Sequence, residues 1–83
     1  MKVYILTMKE SAFMKTFKSF DDVLKEIEVI NKDVYDGSHW SIFGRGSKQV
    51  SAVLQEVVNN KYKYTTFFIR CVDGNTGEII DLD

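Results

Sequence analysis

The stretch SHWSIFGRGSK, residues 38–48, gathers the only histidine, the only tryptophan and the only Gly-x-Gly of an 83-residue chain, with Arg45 and Lys48 beside the glycines. These residue types can cradle an anion. Glycines let backbone N–H groups approach a ligand, the cations supply charge, and a helix starting at Ser47 would direct its free N–H groups and positive dipole end outward. The spacing matches neither phosphate-binding pattern: a Walker loop needs a longer gap before a Gly-Lys-Ser or Gly-Lys-Thr run, and the dinucleotide fingerprint needs a third glycine. The stretch therefore reads as a strand-to-helix corner. Its glycines permit tight backbone angles and Ser47 caps the helix. At that corner Trp40 and Arg45 face a partner.

Catalytic chemistry finds little support. His39 and Cys71 are too few to complete the usual zinc ligand set. As a nucleophilic pair they would need a hydrogen bond between base and thiol. Cys71 falls mid-strand on the expected core side, where a thiol acts as a small hydrophobe. DGNTGEIID, residues 73–81, is rich in oxygen ligands but lacks the EF-hand spacing; Asp-Gly and Asn-x-Gly mark it as a hairpin turn. Asp21 and Asp22 suit the start of a helix better than a carboxylate dyad. The expectation is a protein that is not an enzyme, with no metal and no cofactor.

These residues are positioned by elements legible from periodicity. Lys2 to Met8 is apolar on both alternating faces and reads as an interior strand. Phe13 to Phe17 reads as a second short strand or an ordered loop. Ser19 caps a helix whose stripe is Phe20, Val23, Leu24, Ile27 and Ile30, broken at DVYDGSH. WSIF is a short strand. Beyond Ser47, the residues Val50, Val53, Leu54, Val57 and Val58 fall at helical spacing, so a second helix is predicted, ending at NNKY. KYKYTTFFIRCV alternates as a strand, and DGNTG turns it into EIIDL.

The fold predicted from this order is α+β: a small, mostly antiparallel sheet of three to five strands with two amphipathic helices on one face, in the order β-(β)-α-β-α-β-β. A split βαβ plait needs two strands between its helices, and the short span between the predicted helices leaves room for one.

The strand from Lys61 to Val72 carries the principal binding expectation. Thr65, Phe67, Ile69 and Cys71 share one face; Tyr62, Tyr64, Thr66, Phe68, Arg70 and Val72 share the other. Helices on one side leave the second aromatic face for a partner, and Tyr, Phe and Arg offer large contact area with polar handles. Tyr62, Tyr64, Phe68 and Arg70, then Trp40 and Arg45, are the candidate partner-binding residues. The alternative is nucleic acid: tyrosines stacking single-stranded bases while Lys61, Lys63, Arg45 and Lys48 hold phosphates.

The totals set limits on these readings. Residues 1–83 suit a single globular domain. With 45% apolar and 28% charged residues the chain belongs with folded proteins. So small a domain buries only roughly 60% of its unfolded surface, which favours a partner or a homodimer. The net charge of -1 disfavours a general polyanion binder. Charge is nonetheless uneven: residues 1–18 sum to +3, residues 19–36 to -4, residues 37–72 to +4 and residues 73–83 to -4. A lone cysteine, no apolar run near the ~18 residues of a membrane span and no signal peptide point to the cytoplasm.

In size and composition, over the whole chain, the protein resembles small phage and mobile-element proteins that bind a host factor, anti-restriction and anti-CRISPR inhibitors among them. That resemblance implies a non-enzymatic regulator acting by occlusion of a partner protein.

Overall fold

Stretches rich in β-branched and aromatic residues become strands in the computed structural model, which describes residues 1–33 and 39–82. The elements are β1 (Lys2–Met8), β2 (Met14–Phe17), α1 (Phe20–Asp33), β3 (His39–Phe43), β4 (Val50–Val58), β5 (Lys61–Asp73) and β6 (Ile79–Ile80). Every pairing is antiparallel, and the sheet runs β2-β1-β5-β4-β3. β6 pairs with β5 at Cys71 and Val72, past the point where β4 ends at Val50 opposite Ile69. The break expected at DVYDGSH falls largely on residues 34–38, which lie outside the described residues; the helix runs to Asp33.

The two-helix expectation is overturned. Residues 50–58 form β4, so six strands carry a single helix among the described residues, in place of three to five strands with two. The valines of this segment satisfy both periods, and other constraints choose between them. Alternate residues Val50, Ala52 and Leu54 are buried, as a strand requires, and β-branched side chains lose rotamer freedom in a helix. The deciding feature is NN. Asn59 and Asn60 both adopt left-handed backbone angles, with φ of 53° and 63°, and Val58 pairs directly with Lys61. That is the two-residue turn whose twist suits a hairpin, and asparagine tolerates the left-handed region better than most residues.

Ser47 consequently caps no helix. Its hydroxyl donates to the Gly44 carbonyl, with the Gln49 carbonyl 2.7 Å away, inside the loop of the β3–β4 hairpin. Gly44, at φ +83°, is required there, because an added Cβ would also meet the Gln49 carbonyl oxygen at 3.0 Å.

The first helix forms as its sequence predicts. The Asp22 N–H donates to Ser19 Oγ at 3.2 Å, and Asp21 and Asp22 occupy the first turn, where acids favour the dipole. Val23 and Ile27 are fully buried against a sheet surface that includes Leu6, Ala52, Phe67 and Ile69. Side-chain ties fasten α1 to both flanks of the sheet: Lys15 Nζ of β2 lies 2.6 Å from Glu26 Oε2, and Trp40 Nε1 of β3 lies 3.5 Å from Glu28 Oε1. Among the described residues the core is completed without a second helix. Phe13 packs edge-on to Phe67 with ring centroids 5.9 Å apart, and Leu82 is buried, its N–H donating to the Ser47 carbonyl at 2.8 Å.

Because both turn residues are left-handed, Asn60→Gly removes a steric cost at a position glycine adopts freely. The left-handed cost that glycine avoids outweighs the extra entropy it gives the unfolded chain, and unfolding free energy is expected to rise by up to about 1 kcal/mol in urea titrations. A loss of stability would mean that residues 58–61 do not form this turn.

Candidate functional site

Alternation along β5 sends Tyr62, Tyr64, Phe68 and Arg70 to the sheet face away from α1, while Phe67, Ile69 and Cys71 point into the core. The neighbouring strands extend that face. Val57 stands opposite Tyr62, Gln55 opposite Tyr64, Ser51 opposite Phe68 and Ile5 opposite Arg70; from β3, Phe43 stands opposite Ser51 and His39 opposite Gln55. The face is apolar at its centre, where Ile5, Val53 and Phe68 are half-buried. It is also open: Phe43, Val57, Tyr62 and Tyr64 are 57%, 60%, 66% and 59% exposed. Arg70 is held over it by a hydrogen bond from Nε to Gln49 Oε1 at 2.8 Å.

A basin of about 210 Å³ sits on this face between β3, β4 and β5, lined by His39, Ser41, Phe43, Val53, Gln55 and Tyr64. Its floor is apolar and its rim carries hydrogen-bonding groups. His39 Nε2 and Ser41 Oγ lie 3.4 Å apart, both at the surface.

Trp40 and Arg45 do not join the group. Trp40 faces α1 through Glu28, and the Arg45 guanidinium stacks 5.1 Å from the centre of the Phe20 ring at the start of the helix. The basic residues of the nucleic-acid alternative are also divided. Lys61 and Lys63 share the parity of Phe67 and therefore project from the face opposite Tyr62 and Tyr64. Arg45 and Lys48 lie in the β3–β4 loop, at the other end of β4 from the Asn59–Asn60 turn and roughly 26 Å along the strand at its usual rise.

Phe43, Val53, Gln55 and Val57 belong to this face and are absent from the sequence-based candidates. Reading residues 47–58 as a helix hides Val53, Gln55 and Val57, whereas Phe43 already falls in the predicted strand WSIF. The signal that reveals them is a strand-to-strand junction at Asn59-Asn60, followed by the alternation of β5.

Cys71 is buried on the α1 side, and among the described residues no group of three or more His, Cys, Asp or Glu side chains stands together as a metal site. The oxygen-rich DGNTG segment uses its carboxylate internally. Asp73 Oδ1 accepts the Asn75 N–H at 2.7 Å and the Thr76 N–H at 3.3 Å, shaping the β5–β6 turn. No helix among the described residues is long and apolar enough to cross a membrane.

Comparison of the chain with protein-family models, with curated proteins and with solved structures finds no match to any of them. The arrangement of the face itself is what bears on function.

The backbone N–H of Asn75, then that of Thr76, hold the Asp73 carboxyl below the usual aspartate range. A depressed folded-state pKa contributes stability that is present above the unfolded value of about 3.9 and is lost as pH falls through the lower folded value. Carboxyl-carbon NMR should therefore find Asp73 titrating below a free aspartate, with the Asn75 and Thr76 amide signals moving at the same midpoint. An ordinary midpoint would show that the turn does not depend on the carboxylate.

Proposed function

We propose that this chain is a non-enzymatic binding protein that docks a partner protein on the sheet face opposite α1 and acts by occluding it. The observation that carries the reading is the exposure of Phe43, Val57, Tyr62 and Tyr64 together around half-buried Val53 and Phe68. Contiguous exposed apolar surface of this kind, rimmed by Arg70, Gln55 and His39, marks contact sites in small proteins, and aromatic and arginine side chains dominate binding energy where they become desolvated. The resemblance in size and composition to small phage and mobile-element inhibitors supports a host factor as the occluded partner.

Substitution separates docking from folding here, because these side chains contribute little to the core. Phe43→Ala with Tyr64→Ala should shift unfolding free energy by no more than about 1 kcal/mol, while removing the proteins that immobilised wild-type chain retains from source-cell extract. Trp40→Ala, altered on the opposite side, should retain them if its fold survives. Retention by the Phe43/Tyr64 variant would exclude this face as the contact surface.

A further inference from the structure

β4 and β5 outrun the rest of the sheet. β1 pairs with β5 only from Phe67 to Asp73, and the last backbone bond on that side is the Lys9 N–H to the Thr66 carbonyl at 2.9 Å. Beyond it Lys61 to Thr65 pair with β4 alone. Backbone groups alternate in direction along a strand, so Tyr62 and Tyr64 share the orientation of Thr66 and present their N–H and C=O groups to the side that β1 has left. Among the described residues nothing pairs with them. Just past β1, Glu10 at φ 59° lies in the loop that turns the chain back into β2, on the side of β1 away from β5. A notch of about 500 Å³ results, lined by Met8, Lys9, Glu10, Lys63, Tyr64 and Thr66 among others.

An unpaired strand edge beside a notch is the geometry by which sheets accept an added strand. The side chains flanking the edge define what would fit. Lys61 and Lys63 line one face of it and Tyr62 and Tyr64 the other. Neither lysine is in an ion pair among the described residues, although Glu56 stands opposite Lys63. A second copy of this edge is a poor occupant. Antiparallel self-pairing centred on Lys63 sets that lysine against its counterpart, and centring on Tyr62 sets Lys61 against Lys63; like charges directly opposite are destabilising. Centring on Tyr64 requires Thr66, whose carbonyl is already taken by Lys9.

We propose that the β5 edge at Tyr62–Thr65 binds an extended acidic segment of another protein by strand addition, with carboxylates meeting Lys61 and Lys63 and alternate apolar side chains meeting Tyr62 and Tyr64. The edge shares Tyr64 with the basin bounded by Phe43 but offers backbone groups and Lys63 in place of the basin floor, so it extends the docking reading without requiring it.

The test uses the full chain and a short blocked peptide alternating glutamate and valine. Amide hydrogen exchange by NMR should slow at Tyr62 and Tyr64 on adding the peptide, with little change at Tyr4 or Cys71 inside the sheet. Joint Lys61→Glu and Lys63→Glu exchange should weaken binding by about tenfold or more, the sum of two reversed surface charge pairs, and favour a lysine–valine peptide instead. Tyr64→Pro removes an N–H that faces outward, a position where strands tolerate proline, and should abolish binding while the β4–β5 pairing persists. The Phe43→Ala chain should bind the peptide normally even where face docking is lost. No protection at Tyr62 and Tyr64 with peptide at about 1 mM, an affinity at the weak limit of recognition, would overturn the proposal. So would equal binding by the double-glutamate chain, stronger perturbation of the same amides by a single-stranded oligonucleotide, or their protection by protein concentration alone.

Discussion

Among the described residues, one helix has to shield a sheet of six strands. α1 runs from Phe20 to Asp33, about 21 Å at the usual rise, and can lie across one side of the β layer only. Val23 and Ile27 make that side the core, and the polar ties at Glu26 and Glu28 fix the helix between β2 and β3. Among the described residues, the other side has no helix to cover it. The openness of Phe43, Val57, Tyr62 and Tyr64 follows from this shortage of covering material, and it is the same shortage that leaves the far end of the β4–β5 ribbon paired on so few sides.

The two ends of that ribbon are built differently. Near Val50 and Ile69 the strands lie under α1, flanked by β1, β3 and the C-terminal segment, whose Leu82 is buried and bonded to Ser47. Near Asn59 and Asn60 only two strands remain among the described residues, and the longest dimension of the molecule, 46 Å against 22 and 21 Å, is consistent with a projecting arm. A two-stranded ribbon has little stability of its own. Its turn chemistry and its cross-strand pairs therefore matter more than equivalent features would in the body of the sheet. An arm of this kind exposes both a side-chain face and a backbone edge.

The fold is partly legible in the sequence. Lys2–Met8, the capped helix at Ser19 and the DGNTG hairpin each have local signals that agree with one another, and each forms where the sequence points. Residues 47–58 failed for a specific reason: Val50, Val53, Leu54, Val57 and Val58 fit a period of 3.6 as well as Val50, Ala52 and Leu54 fit a period of two. Side-chain spacing could not choose. The left-handed pair Asn59-Asn60 and the pairing of Val58 with Lys61 chose for it, and only the first of these is visible as residue types. The difference carries over to the candidate site, since reading β4 as a helix removes Val53, Gln55 and Val57 from the exposed sheet face and gives Ser47 a helix-capping role that the β3–β4 loop does not offer.

Local chemistry by itself determined the elements whose signals lie within a few residues: the helix cap, the Asx turn at Asp73 and the division of β5 into a tyrosine side and a phenylalanine–cysteine side. These depend on backbone geometry that a short peptide already prefers. Which of the two sides of β5 would be buried, and that Trp40 and Arg45 would turn toward α1 while Phe43 turned away, was decided by tertiary structure. The reason is that strand faces acquire an inside and an outside only when something packs on one of them, and here that choice belongs to a single helix and the order in which β1, β4 and β3 line up beside β5.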